Sequence, residues 1–233
     1  MDADPTLYPV MEKMGEDILH RWIVELLRPL VAHWLESRGI QALVGADQFI
    51  YFKQHDPHER ISPDVYVLPG LAPDTHVSAW KTWLTGIVPS FALEVVSRSW
   101  KKDYHVIPEK CAELGLRELI IFDPNPEKHE DGARWQVYRR VRGRFTCVEV
   151  SERDRVRSRE LGCYLRAVGE GSALRLRIAT GARGRTLFAT PEEAERRVRS
   201  SARSAMDAER SAKKAALARV AELEKMLAKR SRR

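Results

Sequence analysis

The run Phe91-Ala92-Leu93-Glu94-Val95-Val96 decides how the rest of the sequence is read. It is too short for a free-standing helix and has the length of a strand. Apolar side chains occupy both parities, so the strand is expected to be buried on both faces, inside a sheet covered on each side. Glu94 does not belong in such a place. Burying an ionised carboxylate costs several kcal/mol unless a cation or strong donors meet it. The segment alone leaves two readings open: a buried glutamate paired with an arginine, or a metal ligand.

Upstream, Ser62-Pro63-Asp64-Val65-Tyr66-Val67-Leu68 has the same shape, an acid opening an apolar strand directly after a proline. Taken singly, Asp64 is an ordinary turn or strand-start aspartate. Taken with Glu94, 30 residues on, it forms a pattern. If the two strands are neighbours, both carboxylates can enter one cleft. They would then repel, and one would hold its proton unless a divalent cation lay between them. Oxygen ligands of this kind suit Mg²⁺ or Mn²⁺. A lysine is the usual third member of such sites. Val96 stands two residues after Glu94, where a Glu-x-Lys motif would put it, so the nearest substitute is Lys110, in Pro108-Glu109-Lys110-Cys111-Ala112-Glu113-Leu114-Gly115. Lys101 and Lys102 are rivals, read as solvated charges on an exposed loop.

Around this centre the elements fall into order. Ile18, Trp22, Val24, Leu26, Leu27, Leu30, Val31 and Leu35 recur at helical spacing within a helix expected over 14–37, which Pro29 should kink or split and Gly39 should end. Short strands are expected over Gln41–Val44, Gln48–Lys53 and Asp64–Leu68. A looser Pro/Gly/Ser-rich stretch follows, holding Trp80 and Trp83. A helix of about two turns over Pro108–Leu114, closed by Gly115, leads into a buried strand over 117–122. Trp135–Val141, Arg144–Val150 and parts of Leu161–Ile178 alternate as antiparallel strands with one wet face.

The sequence has 233 residues and a net charge of +7, but of this only +1 belongs to residues 1–190. The basic excess lies in a tail, an uninterrupted helical pattern from Pro191 onward with Thr190 as its cap and Glu192, Glu193 and Glu195 in its first turn. Ala216, Val220, Leu223 and Leu227 form a short coiled-coil seam, with Lys213 and Glu209 taking its positions upstream. We therefore divide the chain into a globular domain, 1–189, and a basic helical tail, 190–233, able to form a homodimer or dock on a partner. Basic tails can follow phosphate backbones, although a solvated helix also carries such charge. The apolar runs are too short to span a bilayer, and Met1-Asp2-Ala3-Asp4-Pro5 lacks the layout of a signal peptide. Three widely spaced cysteines, Cys111, Cys147 and Cys163, form no CxxC pair, so neither a zinc ribbon nor a disulfide framework is expected, and the expected location is cytoplasmic.

Pro63-Asp64-Val65, Leu93-Glu94-Val95-Val96-Ser97, Lys102-Asp103-Tyr104, Lys110-Cys111-Ala112-Glu113-Leu114-Gly115 and Glu118-Leu119-Ile120-Ile121-Phe122-Asp123-Pro124, in that order, resemble the Uma-type family of bacterial restriction endonucleases, within the PD-(D/E)xK nuclease superfamily. The resemblance covers roughly 14–150. It implies an α/β (α+β) fold with a restriction-endonuclease-like central mixed sheet flanked by helices in αβββαβ order, here with a long C-terminal helix or coiled coil. It implies Asp64, Glu94 and the Val95 carbonyl as ligands of Mg²⁺ or Mn²⁺, Lys110 as the catalytic lysine moved onto the following helix, and DNA as the nucleic-acid partner. Cys111 stands where many relatives have an aromatic residue, and the loop from Asp103 to Lys110 is longer than in many. Glu16 could match an acid some superfamily members carry on the first helix, although an exposed helical glutamate is the plainer reading. The expected activity is metal-dependent hydrolysis of phosphodiester bonds. Arg98, Lys101, Lys102, Arg139, Arg140, Arg142 and Arg144 are candidate phosphate contacts, and Trp80 and Trp83 either stack on bases or pack. The competing reading is a non-catalytic nuclease-like module that works through its tail.

Overall fold

The structure is a computed structural model that describes residues 18–76 and 78–230. Its elements are α1 (Ile18–Ser37), β1 (Ala42–Gly45), β2 (Ile50–Tyr51), β3 (Arg60–Ile61), β4 (Val65–Pro69), β5 (Trp80–Lys81), α2 (Thr82–Thr85), β6 (Phe91–Val95), a π-helical turn (Lys102–Val106), α3 (Ile107–Leu114), β7 (Glu118–Phe122), β8 (Trp135–Val141), β9 (Arg144–Ser151), β10 (Arg155–Ser158), β11 (Cys163–Val168), β12 (Arg175–Thr180), β13 (Thr186–Leu187) and α4 (Pro191–Arg230). One compact unit ends at Phe188 and a second begins at Ala189.

The first unit is built on a six-stranded mixed sheet ordered β1-β4-β6-β7-β8-β9. β6 and β7 run parallel at its centre and every residue of both is buried. One face carries Phe91, Leu93, Val95, Ile120 and Phe122, and packs against α1 and the second sheet, β10-β11-β12-β13. The other face carries Ala92, Leu119 and Ile121, and packs against α3 and residues of the small sheet β3-β2-β5. This is the α+β class expected, with the αβββαβ order kept by α1, β1, β4, β6, α3 and β7.

α1 runs unbroken through Pro29, where a kink or split was expected. The missing N–H costs one intrahelical bond, but Leu27, Leu30, Val31, Trp34 and Leu35 are all buried and hold both halves on the same surface. The Trp34 indole also donates to the Leu161 carbonyl at 2.8 Å, tying the helix to the second sheet. Gly39 follows the helix at φ 67°, the left-handed stop its position suggested. The expected starting residues from 14, and Glu16, lie outside the described residues.

Where the sequence suggested a loop before α3, the chain winds into the π-helical turn, with the Ile107 N–H donating to the Lys102 carbonyl. Pro108 accounts for the widening. It has no N–H to give to the carbonyl of Tyr104, and its ring keeps that carbonyl away.

The second unit contains α4, a single helix. The Thr190 hydroxyl accepts from the Glu193 N–H at 3.2 Å and the Glu193 carboxylate accepts from the Thr190 N–H at 3.0 Å, a reciprocal cap. Val220 and Leu223 of the seam are exposed; the Leu227 side chain lies outside the description. Among the described residues no helix is long and apolar enough to cross a membrane.

Candidate active site

β4 and β6 are antiparallel neighbours. Val65 pairs with Leu93, and one further step in that register sets Asp64 across from Glu94. Both carboxylates are buried, so the adjacency that the sequence could only suppose is present. The pair lies at the carboxyl end of β6, the end of a parallel strand pair at which α/β sheets place ligands.

Asp64 is tied down on both oxygens. Oδ2 accepts from the Val95 N–H at 2.6 Å, and Oδ1 lies 2.8 Å from His20 Nε2 on α1. Each oxygen keeps a further lone pair. Glu94 contrasts sharply: its Oε2 is buried and has no hydrogen-bond partner among the described residues. Burial, and then the charges of Asp64 and Asp103, push its carboxyl well above the usual range; Lys102 opposes the rise, and Asp47 adds to it. Among the described residues no arginine meets Glu94, so the arginine-paired reading finds no support there.

Asp103 is the third carboxylate of the group. The Ser97 N–H and hydroxyl donate to its Oδ2 at 2.8 and 2.9 Å. Burial raises its carboxyl and those two bonds pull it back. Cys111 lies on the same face of the sheet as Glu94, and its thiol is pushed up by burial and then by the Glu94 charge.

The lysines are arranged differently from the expectation. The Lys110 ammonium donates to the His58 carbonyl at 2.6 Å, in the loop before β3. The cation whose charge acts on both Glu94 and Asp103 is Lys102, in the first position of the π-helical turn. That turn is anchored from beneath. Asp123 is fully buried; its Oδ2 accepts from the Tyr104 hydroxyl at 2.5 Å and lies 2.7 Å from His129 Nδ1. Trp100 packs on both rings, 6.3 Å from Tyr104 and 5.7 Å from His129.

Of the candidate phosphate contacts, Arg139 and Arg140 are structural. Arg139 pairs with buried Glu118, and Arg140 donates to the carbonyls of Leu116 and Ala112. Arg98, Lys101, Lys102, Arg142 and Arg144 are exposed. Trp80 is a packing residue, buried, with its indole donating to the Ile87 carbonyl at 2.9 Å.

Among the described residues no three His, Cys, Asp or Glu side chains converge closely enough to hold a metal ion by themselves. What the site offers is two buried carboxylates on neighbouring strands, one of them with an oxygen that has no donor among the described residues. Such a set fits a hard cation that keeps several waters.

Residues 8–166 match the family model described as "Uma2: Putative restriction endonuclease". The chain belongs to this family. The Uma2 match takes in Asp64, Glu94, Asp103 and Lys110, and ends within β11. Among solved structures, the chain is similar to one from Anabaena variabilis described as "a putative nuclease belonging to DUF820", at 14% identity and a TM-score of 0.46, over 65% of this chain and 78% of that one. No curated protein matches the sequence. Nuclease is the function class that the description of this family names.

His20 and His129 had no role in the sequence reading, and Asp103, Tyr104 and Asp123 entered it only within the motifs that carry the resemblance, with no part in the site. His20 left one signal. It falls in register with Val24, Leu27 and Val31 on the buried face of α1, where a histidine needs a partner.

Proposed function

We propose that the chain is a metal-dependent endonuclease that hydrolyses phosphodiester bonds in DNA, with Asp64 and Glu94 as its acids. The observation that carries this reading is the buried Oε2 of Glu94, without a donor among the described residues and close enough to buried Asp64 to feel its charge. A buried carboxyl oxygen without a donor is costly whether it holds its proton or not, and no contact among the described residues offsets that cost. Asp64, Glu94 and the Val95 carbonyl would hold Mg²⁺ or Mn²⁺. When bound, the ion supplies charge neutralisation at the scissile phosphate and acidification of water.

The remaining work falls to the chain itself. The Val95 N–H and His20 fix the Asp64 carboxylate, so its orientation does not have to be found on binding. Asp103, held by Ser97, adds negative field that favours a cation at Glu94. An ammonium group is required to steady charge developing at phosphorus or to orient water. Lys110 and Lys102 are the two candidates, and the field at Glu94 favours Lys102.

The test is nicking of supercoiled plasmid with Mg²⁺ or Mn²⁺, run beside Glu94→Gln, Lys102→Ala and Lys110→Ala. Glu94→Gln should lose at least about a hundredfold, and the lysine variant that loses activity identifies the ammonium group. Equal cutting by the wild type and Glu94→Gln would point to a contaminant and remove the assignment.

A further inference from the structure

The second sheet carries a feature that the acids do not use. A cleft of about 640 Å³ opens between β9, β10, β11 and the loop before β13, walled by Arg153, Arg155, Arg157 and Arg183, with Tyr164 and Glu149 in its lining. Four guanidinium groups against one carboxylate leave it strongly positive. Arg155 is partly satisfied, 3.4 Å from Asp154 and 3.3 Å from the Gly184 carbonyl. Arg153, Arg157 and Arg183 are exposed, and none of the three has a carboxylate partner among the described residues.

The frame around these arginines is fixed. The Trp135 indole donates to the Arg153 carbonyl at 2.9 Å, and Arg139 donates to the Arg157 carbonyl. Arg183 holds a left-handed backbone at φ 58°, and Gly184 beside it lies so close to Tyr164 that an added Cβ would come within 2.6 Å of the ring. Arg155 and Arg157 sit on one side of β10, about 7 Å apart by strand rise.

Uncompensated arginines on a fixed frame match the geometry of phosphate oxygens, which a guanidinium can grip with two parallel bonds. Placement favours a polyanion. Glu149 pairs with Val137, Val137 with Ile120, and Ile120 with Leu93, so the cleft reaches the level of the residue before Glu94. Three strand spacings within the sheet, about 14 Å, separate the backbones of Glu149 and Leu93. Because Glu149 is directed to the face of the sheet opposite Glu94, the two sites share no residue.

We propose that this arginine cleft binds the phosphodiester backbone of the nucleic acid that the acidic pair would cut. The proposal rests on the nuclease reading for the identity of its ligand, but its test needs no cleavage. Binding of a fluorescent 20-bp duplex to the full chain is followed by anisotropy in EDTA, at salt from 50 to 200 mM. Arg153→Ser/Arg157→Ser should bind at least about tenfold more weakly at 100 mM salt, with a log–log salt slope shallower by about two. Arg142→Ser/Arg144→Ser, on the β8–β9 turn, removes the same charge elsewhere and should weaken binding less than about threefold. Arg153→Lys/Arg157→Lys keeps the charge and loses the fork. It should keep the wild-type slope while binding more weakly, and it decides the matter if the serine pair does not fold.

Equal weakening by the cleft and turn pairs, an unchanged affinity in the cleft pair, or no duplex binding by the wild type overturns the proposal. So does displacement of the duplex by sub-millimolar inorganic phosphate, which would mark a small-anion site. Failure of the nuclease reading shows separately, as equal plasmid cutting by the wild type and Glu94→Gln.

Discussion

Two glutamates are buried in the central sheet, at opposite ends and on opposite faces of the same pair of parallel strands. Glu118 opens β7, and every polar need it has is met. Arg139 Nε donates to its Oε1 at 2.6 Å, the Arg159 N–H at 3.0 Å, and the Ser158 hydroxyl and Glu160 N–H reach Oε2. Glu94, near the end of β6, meets three further carboxylate charges, of Asp64, Asp103 and Asp47, and keeps an oxygen without a donor among the described residues. Glu118 locks the second sheet onto the first. Glu94 costs stability and is the sort of group retained for chemistry. Burial alone does not separate a structural acid from a functional one; the donors around it do.

Beyond the loss of cutting expected in Glu94→Gln, the contrast can be pressed from both ends. Arg139→Met should be the most damaging change to stability, because it strands a buried carboxylate. We expect a loss of about 3 kcal/mol, seen as a fall in Tm of roughly 6–12 °C, with cutting per folded molecule retained. A Tm within a degree of wild type would mean that the remaining donors suffice and that Glu118 is not a lock.

Mg²⁺ supplies the next contrast. At about a hundredfold over its Kd it should stabilise the wild type by roughly 2.7 kcal/mol and leave Glu94→Gln nearly unmoved in a thermal melt. Equal shifts in both proteins would place the ion elsewhere.

The smallest effect is the most diagnostic of the pair. Without metal, Glu94→Gln should raise Tm at neutral pH by about 2–4 °C, ~1 kcal/mol. The sign follows from the raised carboxyl. The folded chain keeps the Glu94 proton at a pH where the unfolded chain has lost it, so the stability Glu94 allows is full at low pH. It declines as pH climbs from the ordinary glutamate range to the raised one. Glu94→Gln should lack that decline when melts are compared across the window; a parallel decline in both would show that the oxygen is not the penalised group.

Much of this molecule was legible from local pattern. The apolar run around Glu94, the Pro-Asp opening of β4, the period of α1 and the alternation at the start of β8 each report the solvent that a residue faces, and a short window of sequence carries that. β9, expected to alternate with one wet face, has no buried residue, because it is the edge strand of the sheet. The π-helical turn was less visible. Lys102 and Asp103 look like loop charges until Pro108 is seen to widen the turn and Asp123 to anchor it. The arginine cleft was invisible for another reason: the phosphate contacts read from sequence lay after β6, on β8 and at the β8–β9 turn, whereas the cleft gathers its arginines from β10, the turn before it and the loop before β13.

By itself the sequence determined which strands would be buried and that Asp64 and Glu94 would lie within them, since hydrophobic period is a property of neighbouring residues; Asp103, Glu118 and Asp123 are buried as well. Only the tertiary structure decided which acid would be satisfied. The partners of a buried charge come from far along the chain, Arg139 and Ser158 to Glu118, Asp64 to Glu94, and Coulomb forces and hydrogen bonds act over distance in space, not over separation in sequence.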